Sequence, residues 1–142
     1  MFRLLQGDVG SGKTIISFIV AANVIRSTSQ VALMAPTEIL ARQHYNLAMK
    51  IFKSTDVSIE LLTGKTDHKK KKIICKNLVN GKINFLIGTH ALFQKNILFK
   101  NLGLIIIDEQ HKFGVKQRIE LSKKGGKDCD ILLMSATPIP RT

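Results

Sequence analysis

Residues Gly7-Asp8-Val9-Gly10-Ser11-Gly12-Lys13-Thr14 form an uninterrupted G-x-x-x-x-G-K-T pattern, and each fixed position has a task in holding phosphate. Gly7, Gly10 and Gly12, with Ser11 between, let backbone N–H groups close around an anion. Lys13 can reach β and γ phosphates, and the Thr14 hydroxyl can hold Mg²⁺. Leu4-Leu5 precede the loop and a helix-like run, residues 15–25, follows it. The loop therefore opens a helix whose positive end faces the phosphates. With glycine near 7% of average usage, a chance match in a chain of this length is on the order of one in a few hundred.

A second group could complete that chemistry. The most hydrophobic run of the chain, residues 102–107, ends on Asp108-Glu109. Asp108 can share a Mg²⁺ shell with Thr14, and Glu109 can orient and activate an attacking water. An Asp-Glu pair after a strand is common on surfaces. Here it follows both a phosphate loop and an Ile-Ile-Ile strand, which makes nucleotide hydrolysis the better reading.

The elements that must position these groups alternate in type. Strands are expected over residues 2–6, 31–35, 57–62, 83–87, 102–107 and 131–134. Helices are expected over 14–26, from Thr37-Glu38 to Phe52, over 66–80 and, more loosely, over 115–124. Ser27 to Gln30 reads as a polar turn, and Gly81 as a helix stop. Leu40, Leu47, Ala48, Ile51 and Phe52 keep helical spacing and make a core-facing stripe; His44, beside it, reads as a packing or surface histidine. Short apolar strands alternating with helices argue for an α/β fold, a parallel sheet with helices on both faces.

At 142 residues and 44% hydrophobic, with a mean hydropathy of +0.09, the chain suits one folded domain, 1–142, with a sizeable core. No apolar run approaches the roughly 20 residues of a membrane span, and the start lacks a secretory pattern. A cytoplasmic location without a membrane partner is expected. Cys75 and Cys129 have neither metal-site nor framework spacing and read as reduced, mostly buried thiols. The net charge of +12 points toward a polyanionic partner. Residues 65–82 carry seven lysines and one acid, 7 − 1 = +6, half of that total. Four of those lysines are consecutive and on a helix cannot all line one groove. Solvation and direct nucleic-acid contact both remain open for them.

Asp108-Glu109-Gln110-His111 resembles the D-E-x-H box of superfamily-two helicases, and Ser135-Ala136-Thr137 resembles their S-A-T coupling motif. The loop at 7–14, APTEIL at 35–40, GTHALFQ at 88–94, KFGV at 112–115 and SATPIPRT at 135–142 together resemble the RecG-like family of ATP-dependent DNA helicases. The transcription-repair coupling factors are similar too, but less so at Ser11, Ala91 and Gln110. The matches run from about residue 3 to 142. Lys112 departs from the family's usual arginine, which weakens any planar bidentate contact there.

The resemblance implies the RecA-like P-loop NTPase fold, ATP and Mg²⁺ as cofactors, and DNA, branched or forked, as partner in recombination and repair. By it, Lys13 and Thr14 bind nucleotide and metal, and Asp108, Glu109 and His111 support hydrolysis. Gln110 and His111 communicate with Ser135 and Thr137. Pro36, Thr37, Thr63, Gly64, Gly88, Thr89 and His90 face the nucleic-acid backbone; each also follows a strand's C-terminal end, where ligands collect in parallel sheets. The family carries an N-terminal wedge domain and a second motor lobe, so this chain is expected to be a single lobe. A companion polypeptide could supply the second. On its own the chain is expected to turn over ATP weakly or not at all. Two alternatives stay open: a fragment that binds nucleotide or DNA without turnover, and a non-functional split-gene relic.

Overall fold

The computed structural model describes residues 2–5, 11–94, 96–108 and 129–134. In chain order the elements are β1 (Phe2–Leu5), α1 (Ser11–Arg26), β2 (Gln30–Met34), α2 (Glu38–Ile51), β3 (Ile59–Leu62), α3 (His68–Val79), β4 (Phe85–Gly88), a 3₁₀ turn (His90–Phe93), β5 (Leu102–Asp108) and β6 (Asp130–Met134). The expected helix over 115–124 lies outside the described residues.

The described strands form one six-stranded sheet in the order β1-β6-β5-β2-β4-β3, and every pairing in it is parallel. Parallel neighbours need a crossover between them, and that is why helices alternate with strands here. Because strand directions agree, the C-terminal ends gather at one edge. Leu5 and Asp108 both pair with Met134, Met34 pairs with Ile107 and Gly88, and Leu62 pairs with Gly88.

Side-chain alternation along the strands divides the core in two. Val31, Leu33, Phe85, Ile87, Leu104 and Ile106 pack on the α1/α2 side with Phe18, Ala21, Ala41 and Ala48. Ala32, Met34, Leu86, Ile105 and Ile107 pack on the other side with Ile74 and Leu78 of α3 and Leu92 of the 3₁₀ turn. On the first side, Phe18, Phe52 and Phe85 form a ring cluster with centroids 5.7–6.3 Å apart, joining α1, the end of α2 and β4. Edge-to-face rings of this kind contribute about 0.5–1.5 kcal/mol beyond their buried area.

Element ends follow local chemistry. The Thr37 hydroxyl accepts from the Leu40 N–H at 3.2 Å and caps α2. The chain leaves α3 through Gly81 at φ +79°, with Lys82 N–H donating to the Asn77 carbonyl, so Gly81 is the helix stop that its position suggested. Gly88 answers to packing: a Cβ there would stand 2.1 Å from the Leu62 carbonyl oxygen on the neighbouring strand.

Most boundaries move by one to three residues from the sequence expectation, and three of the shifts are instructive. α1 begins at Ser11 rather than 14. β3 is shorter, because Ser58 is engaged sideways by Asn84, whose side-chain oxygen accepts from its N–H at 2.7 Å. Gln30, expected in a polar turn, is instead the first residue of β2 and is buried. Its amide donates to the Leu78 and Ile83 carbonyls, both at 2.9 Å, and accepts from Asn101 N–H at 2.8 Å. One side chain thus satisfies three backbone groups where α3, β4 and the approach to β5 meet β2.

Gln30→Leu keeps the volume and removes all three bonds. The Leu78 carbonyl keeps the Gly81 and Lys100 N–H groups, whereas the Ile83 carbonyl and the Asn101 N–H lose the Gln30 side chain. Buried backbone groups left unpaired cost about 1–3 kcal/mol each, so the variant is expected to lose about 2 kcal/mol or more of stability, read as a lower urea midpoint at unchanged slope.

Candidate functional site

The edge formed by the strand C-termini carries the described part of the candidate site. Ser11, Gly12, Lys13 and Thr14 make the first turn of α1, and helix geometry leaves the backbone N–H groups of Ser11, Gly12 and Lys13 without acceptors inside the helix, where an anion can take them. Gly7 and Gly10 lie outside the described residues. α1 crosses from β1 over β6 and β5 to reach β2.

Asp108 is the last residue of β5, one residue further than the expected strand. Alternation puts it on the same side as Leu104 and Ile106, the side that α1 and α2 cover. It is 7% exposed, and its Oδ2 lies 2.9 Å from Nε2 of His44. The sequence suggested a packing or surface role for His44; the structure buries it and joins it to Asp108 across the sheet. The signal was available in part, since His44 interrupts the small-residue stripe Ala41–His44–Ala48 that α2 turns inward. Its partner was not, because the two residues are 64 positions apart.

Glu109, Gln110, His111, Ser135 and Thr137 lie outside the described residues. The strand leading to Ser135, β6, ends in register with Asp108.

Toward the other end of the same edge, Pro36 and Thr37 follow β2, Thr63 and Gly64 follow β3, and Gly88, Thr89 and His90 close β4. Glu38 connects the first two groups. Its carboxylate accepts from the Thr63 hydroxyl and from Arg42, each at 3.3 Å, and from Lys65 at 3.3 Å. Burial pushes the Glu38 carboxyl up, but Lys65, Arg42 and Thr63 outweigh that and hold it below the ordinary carboxylate range. Sequence reading saw Glu38 only as a helix start.

Thr63 is buried and folds the following turn on itself: its N–H donates to the Thr66 hydroxyl at 2.9 Å, and its own hydroxyl accepts from Lys65 N–H at 3.2 Å. Gly64 is exposed, and a Cβ there would meet nothing within 4 Å, so the chain's own packing does not demand a glycine. Beside it Arg42, Tyr45, Thr63, Lys65 and Lys70 line a cleft of about 240 Å³. Thr89 caps the 3₁₀ turn, while its N–H donates to the Leu62 carbonyl at 3.3 Å. His90 is exposed.

The lysine run is divided among tasks. Lys69, Lys70, Lys72, Lys76 and Lys82 are exposed, Lys65 pairs with Glu38, and Lys71 is partly buried and donates to the Gln94 side chain. The thiols do not add a reactive group at this edge. Cys129 is buried just before β6, and burial, with Asp130 adjacent, pushes it up to about 11; Cys75 is only half-buried.

Known proteins match the chain in family and in fold. The family model described as DEAD/DEAH box helicase matches residues 3–142. The ATP-dependent DNA helicase RecG of Aquifex aeolicus is 54% identical over 143 residues, covering 100% of this chain and 18% of that protein. The RecG of Bacillus subtilis is 53% identical over 142 residues, covering 100% of this chain and 21% of its own length. The chain thus spans about a fifth of the curated relatives it matches. A solved structure of RecG bound to a three-way DNA junction superposes with a TM-score of 0.83 at 47% identity, over 97% of this chain and 18% of that one. Mss116p bound to single-stranded RNA and AMP-PNP superposes at 0.74 with 21% identity, which speaks for the shared fold alone. The chain belongs to the DEAD/DEAH box helicase family, and among its members it resembles the RecG helicases.

Proposed function

We propose that the chain is the ATP-binding first motor lobe of a RecG-like ATP-dependent DNA helicase that acts in the cytoplasm on branched DNA during recombination and repair. The observation that supports this most is the arrangement of the parallel sheet: α1's first turn, Asp108 and the loops at 36–37, 63–64 and 88–90 share one edge. No helix among the described residues is long and apolar enough to cross a membrane.

In this reading Gly7, Gly10, Ser11, Gly12, Lys13 and Thr14 cradle the nucleotide phosphates. Thr14 and Asp108 offer hard oxygen donors of the kind Mg²⁺ prefers, and Mg²⁺ bound through one or two protein oxygens plus phosphate needs no all-protein cage. Among the described residues no cluster of three His, Cys, Asp or Glu forms such a cage. Mg²⁺, when bound, neutralises charge on the phosphates. Glu109 positions the attacking water and accepts its proton, with His111 supporting it. Gln110 and His111 pass the state of the nucleotide to Ser135 and Thr137.

Pro36, Thr37, Thr63, Gly64, Gly88, Thr89 and His90 meet the DNA backbone. Backbone N–H groups and hydroxyls at strand ends suit phosphate contacts, which position a nucleic acid without reading its sequence. Glu38 keeps two of those loops at a fixed spacing, and Gly64, which packing leaves optional, allows close approach of a backbone.

A second reading is that the residues present here, which span 18% of the Aquifex aeolicus relative, bind nucleotide or DNA without turnover. Hydrolysis in this class gains about 10³–10⁵ in rate from an arginine finger, which we assign to a second lobe.

Three measurements test the proposal. Mg·ATP at about a hundredfold excess over its Kd is expected to stabilise the wild-type chain by about 2–3 kcal/mol and Lys13→Ala hardly at all; equal stabilisation of both removes the nucleotide site. ATP turnover by the chain alone is expected to stay near background with or without DNA. Strong DNA-stimulated turnover that disappears in Glu109→Gln would instead make the chain a complete motor. DNA affinity is expected to fall steeply with salt, with log K linear in log salt concentration, and a flat response would leave the lysines merely solvated.

A further inference from the structure

We infer that His44 is a positioning residue that holds the Asp108 carboxylate in the orientation the metal–nucleotide complex requires. The inference rests on the assignment of Asp108 to the Mg²⁺ site. It adds a second helix, α2, to a nucleotide site otherwise built from the phosphate loop and two strand ends.

The geometry separates His44 from an ordinary core histidine. α2 turns Ala41, His44 and Ala48 inward, and the two alanines are fully buried. Small residues on either side let the helix lie close to the sheet, so the imidazole reaches the end of β5. There Nε2 lies 2.9 Å from Oδ2 of Asp108, with the side chains 11% and 10% exposed. An ionised carboxylate has acceptor lone pairs only, so Nε2 must carry the proton and donate.

A carboxylate needs such a partner to keep one orientation. The terminal torsion of aspartate is broad and nearly two-fold, so a donor on one carboxylate oxygen narrows the orientations that Asp108 offers to a metal shell. A donor fixed on Oδ2 removes that freedom in advance. Partners of this kind behind a metal ligand commonly change metal affinity or activity by about 10–100-fold.

The donor is itself held on a rigid element. Thr37 caps α2, Glu38 ties its first turn to Thr63 and Lys65, and Phe52 at its far end packs on Phe18 and Phe85. His44 lies midway between these anchors. A site supported from a helix pinned at both ends is placed more accurately than one supported from a loop.

A purely structural His44–Asp108 pair would lower stability when broken but would treat metal-bound and metal-free nucleotide alike. Calorimetric titration of the chain with Mg·ATP, and with ATP in excess chelator, separates the two. His44→Leu is expected to weaken Mg·ATP binding by about 10–100-fold and leave metal-free ATP binding unchanged. His44→Gln, whose amide Nε2 can donate from nearly the same place as the imidazole Nε2, is expected to recover most of the loss. If His44→Leu does not fold, His44→Asn, whose amide is one methylene short of the carboxylate, takes its place in the comparison. Equal loss for both forms of nucleotide, no loss for either, or a Gln variant no better than Leu or Asn overturns the inference while leaving nucleotide binding intact. Wild-type chain that binds neither form overturns both the inference and the function on which it rests.

Discussion

Parallel pairing is the constraint on which the rest of this molecule depends. A parallel strand cannot turn straight back onto its neighbour, so each connection must cross a face of the sheet, and the crossing helices bury both faces. In return all strands end at the same edge. β5 carries this furthest: it sits between β6 and β2, its residues Leu104–Ile107 are almost wholly buried, and it delivers Asp108 where hydrophobic packing stops. Chemistry at that edge requires no irregular strand, since each strand simply ends there and hands its next residues to a loop.

Polar side chains then fix how the crossing helices sit. Gln30 joins β2 to the carbonyls of Leu78 and Ile83 at the N-terminal side of the sheet, and Glu38 joins α2 to the β3–α3 turn at the C-terminal side. His44 joins the middle of α2 to β5. Apolar contacts alone are tolerant of small shifts, whereas a hydrogen bond weakens steeply with distance and angle. The three groups therefore set the register of helices that the aromatic and aliphatic core holds only against the sheet as a whole.

Charge is arranged with the same economy. The cleft beside Thr63 gathers Arg42, Lys65 and Lys70, yet Lys65 and Arg42 also neutralise Glu38. Part of the +12 charge is thus committed to holding loops in place, and the exposed lysines of α3 supply a diffuse attraction for a polyanion rather than a groove. Such a field attracts polyanions from solution without selecting among them.

The sequence by itself determined the alternation of strands and helices and the parallel sheet, and it made the glycine pattern at 7–14 and Asp108 candidates for phosphate and metal. These rest on short-range signals: apolar runs of strand length, a glycine pattern with one chemical use, and a carboxylate at the end of a buried run. It also carried the helix stop at Gly81, a local matter of backbone conformation. Tertiary structure decided what depends on pairs far apart in the chain. His44 looked like a histidine beside an apolar stripe until folding brought it to the end of β5, and Gln30 looked like a turn residue until three distant backbone groups converged on it. Glu38 became a link between loops only once β3 ended beside α2. In each case a polar side chain takes its role from the partner that folding brings to it, and no spacing along the chain records that partner.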